Sequence, residues 1–496
     1  MRVHLVAVLC CAWLFAASPV PCAPAEEAVP TPGQVQAWRE RAMSGDSEAQ
    51  FRLGEHLMLF HAGGTGSPEA VELLRQAAPH VLYAQCHLAV LPDGLPEGSG
   101  EMPWQDRDRI RRQIYAEAEQ QPQNAEAQYW AGMLKLVLDR DAPAALALLE
   151  RGAGLGSVWA ALRLGGMYAQ GRGVPRDAAR SRTWYRQAAE QGSFFGQYRY
   201  GMMLLENAGD RSEALRWLRM SANQGFGPAQ CALGTALLHG DGVAVDAEAA
   251  CALFAQAAEQ GFPEGMLRLY ECHMRGLGVE KDMDAALLWL NRAATAGYGP
   301  AQQELGDVYA AGRGVRQDWT QALQWYNAAV DGGFAPAAYT LSHLCRDGVG
   351  TPRDLARAQN LLRRAAEAGH VSAQYELGCS YEQGLGGVRD AEIAAFWFRR
   401  GAMQGNARAC LRYGLALEQG AGGMAPDAEA ALIWIRKAAE QGLGEAMYEL
   451  GVRYERGTGI APSGEEALRW YEKAADAGIA AARPALRRLS GAVKNK

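Results

Sequence analysis

Glycine returns along this chain at Gly192, Gly225, Gly261, Gly297, Gly333, Gly369, Gly405, Gly442 and Gly478, spaced by 36 residues with one gap of 33 and one of 37. A period of that length marks a stack of supersecondary units rather than one globular core. The 496 residues fit this reading, since they exceed what one ordinary core can organise. Eight residues before each glycine stands a bulky apolar residue: Trp184, Trp217, Leu253, Trp289, Trp325, Leu361, Trp397, Trp434 and Trp470. Small pairs such as Ala188-Ala189, Ala293-Ala294 and Ala438-Ala439 lie between.

One copy, residues 301–333, shows the physics. Ala301, Leu305, Val308 and Tyr309 recur at helical spacing and predict a first helix with one apolar face. Gly312-Arg313-Gly314 breaks it, because glycine readily takes the positive φ of a helix end. Asp318 stands as N-cap for a second helix carrying Trp319, Ala322, Leu323, Trp325, Tyr326 and Ala329, and Gly333 stops that helix. The cap slot repeats as Asp177, Asp246, Asp282, Asp354, Asp390, Asp427 and Ser463. A glycine inside the first helix repeats as Gly165, Gly201, Gly234, Gly306, Gly378, Gly414 and Gly451. Such a glycine costs roughly 0.5–1 kcal/mol against alanine, so its regular use predicts a close helix–helix approach. Tyr270 and Ser342 break the pattern and predict slightly different packing in their units. A two-helix unit cannot cover its own apolar face, and stacking covers it. The expected fold is all-α, a right-handed α/α solenoid of stacked two-helix repeats. The tryptophan stripe is expected in its core, and truncating Trp434 is expected to cost roughly 3–5 kcal/mol.

The chain divides into a leader (1–25), degenerate N-terminal repeats with a Pro/Gly-rich loop (26–105), a shortened repeat (106–158), nine full repeats (159–480), and a capping helix with tail (481–496). Arg2 and His4, the apolar run Leu5 to Ala17, and Ala23-Pro24-Ala25 form a signal-peptide pattern with cleavage expected after Ala25. Secretion, most simply into a periplasm, is the expectation, with no membrane-spanning segment after cleavage. The formal charge of −6 argues against non-specific nucleic-acid binding. Seven cysteines follow the leader: Cys86, Cys231, Cys251, Cys272, Cys345, Cys379 and Cys410. Cys251 and Cys272 lie about equally far from the Gly261 turn. Either they pair across antiparallel helices, or all seven pack as small hydrophobes.

The pattern A-x-Y-x-L-G-x-x-Y, then G-x-G-V, a spaced Asp and W-x-x-x-A-A-x-x-G resembles the Sel-one-like repeat (SLR) family, a relative of the tetratricopeptide repeats. Residues 373–405 and 446–478 carry the resemblance best. It covers 160–478 clearly and 34–157 loosely, and residues 106–158 resemble a plain tetratricopeptide hairpin. The resemblance implies an adaptor whose concave face, lined by first helices, holds a partner protein of the cell envelope or a host.

No residue pattern indicates catalysis, and no enzyme activity, cofactor or metal is expected. A helix precedes each glycine loop such as Gly171-Arg172-Gly173, so these loops are helix ends rather than phosphate cradles. The histidines, among them His56, His61, His80, His87, His273 and His343, lack metal-pair spacing. The informative variable positions are the first-helix ends. They make His239, Met274, Arg275, Glu382, Gln383, Glu418, Gln419 and Glu455 the candidate partner-binding residues, with an acidic late groove. The alternative is a peptidoglycan- or exopolysaccharide-binding protein, for which Phe194, Phe195, Tyr298 and Phe334 are the aromatic candidates.

Overall fold

Each copy of the repeat folds as a helical hairpin. The computed structural model describes residues 32–60, 68–78, 84–86, 104–206, 210–385, 389–423 and 425–494. The expected leader and the Pro/Gly-rich stretch 92–103 lie outside the described residues, as do His61, His80 and His87. Among the described residues, all regular structure is helical. Within each of two compact units, Met1–Ala301 and Gln302–Lys496, the hairpins stack in chain order as an α/α solenoid. In the first unit, Gly227–His239 with Ala247–Glu259 and Pro263–Arg275 with Met283–Thr295 are typical pairs. In the second, Ala335–Asp347 pairs with Leu355–Glu367, Val371–Gln383 with Ala391–Met403, Ala407–Gln419 with Ala428–Glu440, and Gly444–Arg456 with Gly464–Asp476. The helix Ala482–Lys494 closes that unit.

The local signals act as the sequence indicates. Asp177, Asp246, Asp282, Asp318, Asp354, Asp390, Asp427 and Ser463 all cap second helices. Asp318 Oδ1, for example, accepts from the amides of Thr320 at 2.8 Å and Gln321 at 3.1 Å. Gly312 and Gly314 take φ of +69° and +72°, as the helix break requires. The second loop glycine also makes room for a neighbour: a Cβ on Gly350 would lie 2.0 Å from Cε3 of Trp319.

The glycine inside each first helix faces the residue after the tryptophan slot. A Cβ on Gly234 would sit 2.6 Å from Phe254, on Gly378 2.6 Å from Phe398, on Gly414 2.7 Å from Ile435, and on Gly451 2.7 Å from Tyr471. Glycine there lets a large side chain press against the first-helix backbone. The two repeats without it, at Tyr270 and Ser342, carry leucine at the opposing place, Leu290 and Leu362. The core therefore departs from the expected tryptophan stripe. Trp217, Leu361 and Trp397 are buried, but Trp184, Leu253, Trp289, Trp325, Trp434 and Trp470 are only half-buried. The next residue is the one that fills the hairpin: Tyr185, Leu218, Phe254, Leu290, Tyr326, Leu362, Phe398, Ile435 and Tyr471 are buried. One residue is a 100° turn of helix, which moves the tryptophan to the edge of the seam. Cations cover several of these rings. Arg292 stands 4.7 Å over Trp289, Lys437 5.1 Å over Trp434 and Lys473 4.2 Å over Trp470.

Among the described residues, all seven cysteines are thiols, and only Cys379 is not fully buried. Cys251 and Cys272 neighbour each other on adjacent helices as free thiols, and Cys251 Sγ donates to the Leu277 carbonyl at 2.7 Å. Burial pushes both above the ordinary thiol range, which makes them poor nucleophiles.

Candidate partner-binding face

Within the repeat, some first-helix positions never change character and others always do. The third residue is small, as in Ala229, Gly265, Ala301, Ala337, Ala373, Ala409 and Ala446, and all of these are buried. The fifth residue runs Cys231, Leu267, Gln303, Tyr339, Tyr375, Leu411, Tyr448, and the sixth runs Ala232, Arg268, Glu304, Thr340, Glu376, Arg412, Glu449. Most of these side chains are half-buried on one face of the first helix. Packing fixes the third position, because a larger side chain would collide with the preceding second helix. It leaves the fifth and sixth free to differ.

In the second unit this face carries a polar seam that ties each hairpin to the next. Tyr339 Oη donates to Glu376 Oε1 at 2.5 Å, and His343 Nε2 lies 3.3 Å from Glu376 Oε2. Arg412 Nη1 lies 3.7 Å from Glu382 Oε2. Arg453, buried, donates from Nη2 to Glu418 and from Nη1 to Glu449 Oε2 at 2.7 Å. Arg488 donates to both carboxylate oxygens of Glu455 at 2.8 Å, and Tyr471 Oη donates to Glu455 Oε2 at 2.7 Å. Burial, then the neighbouring carboxylate, pushes the Tyr339 and Tyr471 phenols well up, so both stay protonated donors.

The seam contains His370 as well. Its ring stacks on Tyr339 with centroids 4.4 Å apart, and Nδ1 accepts from the Ala373 amide at 3.2 Å, capping the helix Val371–Gln383. That cap needs a neutral imidazole with a free lone pair on Nδ1. Burial holds the His370 pKa below its ordinary value, against an opposing pull from Glu376.

The candidate residues read from the sequence thus separate into two kinds. Glu418 and Glu455 accept hydrogen bonds in the seam and Glu382 lies 3.7 Å from Arg412, so each of these late glutamates stands beside a cation, Arg453, Arg488 or Arg412. Gln383 and Gln419 stand exposed at the ends of the same helices. In the first unit, His239 and Arg275 are likewise exposed, and Met274 is half-buried with its sulfur 3.2 Å from Tyr270 Oη. Nearby, Arg268 lies 3.2 Å from Glu271 and 4.0 Å from Glu264, whose carboxyl burial pushes up in pKa.

Three of the turn aromatics named for glycan binding are packed. Phe194 and Phe195 lie 5.0 Å and 6.1 Å from Phe226, and Phe334 packs on the core of its unit. A further set of residues escaped the sequence reading. Gln128, Gln230 and Gln374 are buried, and their side chains donate to the carbonyls of Ala118, Ala222 and Ala366 on the preceding second helix. The signal was present as the recurring Ala-Gln pair near the start of the first helix, Ala127-Gln128, Ala229-Gln230 and Ala373-Gln374. Among the described residues, no three His, Cys, Asp or Glu side chains are grouped to hold a metal, and no helix is long and apolar enough to cross a membrane.

A family model described as Sel1 repeat matches residues 47–78, 125–157, 160–193, 195–226, 227–262, 263–298, 299–334, 335–370, 371–406, 407–443 and 444–479. Among solved structures, the chain is similar to c5321, a protective antigen of uropathogenic Escherichia coli displaying an SLR fold. The identity is 30%, covering 77% of this chain and 90% of that one, with a TM-score of 0.44. It is also similar to a Sel1 repeat protein from Oxalobacter formigenes, at 31% identity over 68% of this chain and 87% of that one, with a TM-score of 0.40. Comparison with curated proteins gave no significant match.

Proposed function

Because the chain belongs to the Sel1 repeat family, we propose that it is an extracytoplasmic scaffold that binds a partner protein along its first-helix face. Sel1 repeats are generally protein–protein interaction scaffolds, and their mechanism is non-covalent. The observation that carries the choice of face is internal to the chain. Copies of one backbone hold their packing positions constant, while the last residue of the first helix is exposed in successive copies and runs His239, Arg275, Ala311, Asp347, Gln383, Gln419, Arg456. A surface that the fold does not dictate is where binding specificity can be written. His239, Arg275, Gln383 and Gln419 are its exposed contacts, and the seam behind Gln383 and Gln419 holds that part of the surface rigid. Preorganisation of this kind lowers the cost of association. The basic start, apolar run and Ala23-Pro24-Ala25 of the first 25 residues support export.

The test is site-specific photocross-linking in cells. A photoreactive residue at Gln383 or Gln419 is expected to trap one or a few defined proteins, and the same residue at Asn360 or Glu465 on second helices none. Equal trapping from both sets would overturn the choice of face.

A further inference from the structure

The second helices of the C-terminal unit carry an uncommon surface for an acidic protein. Successive second helices lie side by side, since Arg364 Nη2 reaches the Val330 carbonyl of the preceding one at 3.0 Å and Arg357 Nη2 reaches Asn327 at 2.9 Å. The ninth and tenth residues of three neighbouring second helices are all cations: Arg363 and Arg364, Arg399 and Arg400, Arg436 and Lys437. They stand in register, so three repeats build one basic row. Together these helices hold seven basic and four acidic residues in a chain of net charge −6.

Internal ion pairing leaves the row almost untouched. Arg364 lies 3.9 Å from Asp331, and that is its weakest contact. Among the described residues, Arg363 and Arg436 donate to tyrosine hydroxyls, of Tyr381 and Tyr454, at 3.4 Å and 3.3 Å. Arg400 and Lys437 lie over the rings of Trp397 and Trp434. The acidic residues of these helices sit in their first turns or at their last residues, as Glu392, Glu429, Glu367 and Glu440 do. This differs from the first-helix seam, where arginines are matched to glutamates.

Large apolar side chains project beside the row. Phe396 and Ile433 occupy the same register position in successive second helices and are 53% and 67% exposed. Ile393 and Met403 flank Phe396 on its own helix and are also exposed. An acidic peptide would need a groove to cover these side chains. They stand instead on the outward ridges of neighbouring helices, where a deformable surface can receive them. Unmatched cations interleaved with protruding apolar side chains match the boundary between anionic headgroups and acyl chains.

We propose that this row docks the protein peripherally on an anionic lipid surface, with the guanidinium groups on lipid phosphates and Phe396 and Ile433 entering the acyl boundary. The arrangement leaves the first-helix face open to a protein partner. It does not depend on that reading, because the surface stands on separate residues of the second helices.

The test is co-sedimentation of the full chain with vesicles of phosphatidylcholine alone and of phosphatidylcholine with phosphatidylglycerol. Subtracting the neutral-vesicle value removes whatever the apolar run 5–17 contributes. Binding that requires phosphatidylglycerol and weakens with salt is expected. Arg363→Glu/Arg399→Glu/Arg436→Glu is expected to lower the partition by at least about 100-fold, which is the loss of three cations at their usual strength near an anionic surface before the added repulsion of three carboxylates. Phe396→Ser/Ile433→Ser is expected to lower it by about 10-fold or more while keeping the salt dependence. Helical content and melting temperature measured for each variant show that the fold is kept. Binding indifferent to phosphatidylglycerol, or unchanged in the charge-reversed variant, overturns the proposal. So does absence of vesicle binding together with tight, salt-sensitive binding to polyglutamate, which would assign the row to an acidic protein.

Discussion

A methyl group placed on Gly378 would come within 2.6 Å of Cε1 of Phe398, so the ring occupies the space that any other residue's Cβ would need. Gly378→Ala should therefore destabilise the protein by about 2–3 kcal/mol, although alanine is the better helix former. Phe398→Leu should cost about 1–1.5 kcal/mol alone and relieve much of the alanine penalty when the two are combined. A double-mutant cycle in urea reads the coupling, and strict additivity would contradict the packing described.

Arg453 is 4% exposed and lies between Glu418 and Glu449. Arg453→Met removes one cation and leaves two carboxylates without it. Both carboxylates keep some contact with water, so the expected loss is about 2–3 kcal/mol, at the low end for a broken buried pair. Arg469, exposed beside Glu465 and Glu466, is the comparison, and Arg469→Met should cost under about 0.5 kcal/mol. Chemical denaturation of the two variants reads the contrast.

His370 caps its helix only while neutral. Burial depresses its pKa in the folded state, so the unfolded chain binds more protons as pH drops below about 6.5. The stability this residue contributes is fully present above that value and is lost as pH falls through the folded one. Asn406 performs the same cap one repeat later, accepting from Ala409 at 2.8 Å without titrating. His370→Asn should keep the melting temperature at pH 7.5 and shrink its drop between pH 7.5 and 5.5. An unchanged drop would show that the cap does not couple to protons.

Ile435 fills the hairpin that Trp434 only edges. Ile435→Ala should cost about 3–4 kcal/mol and Trp434→Ala about 1–2 kcal/mol, the reverse of what side-chain size suggests. Thermal or denaturant unfolding of both variants decides the order.

The fold was legible because every local rule agrees with the next. Asp318, Gly312, Gly333 and the small pairs each have one physical role, and repetition multiplies a signal that one copy would leave weak. The tryptophan slot misled because strict register marks a structural position without saying how deep it lies. Trp434 and Ile435 are neighbours in sequence, and only the crossing of two helices decides which one meets Gly414. The seam was invisible for another reason. Glu418 and Arg453 are 35 residues apart in different hairpins, and their meeting depends on how the hairpins stack. Glutamates at helix ends therefore read as exposed, whereas Glu382, Glu418 and Glu455 are half-buried beside Arg412, Arg453 and Arg488.

The seam also fixes the order of modules that share one backbone. Glu376 and Arg412 hold the same register position in consecutive hairpins, but Glu376 answers Tyr339 and His343 whereas Arg412 answers Glu382. Excising residues 371–406 would leave a continuous chain with intact helices and caps. It would nonetheless bring Arg412 opposite Tyr339 and His343, a cation where a carboxylate belongs. The stack is thus a sentence rather than a string of identical letters, and removing one word spoils the grammar at the join.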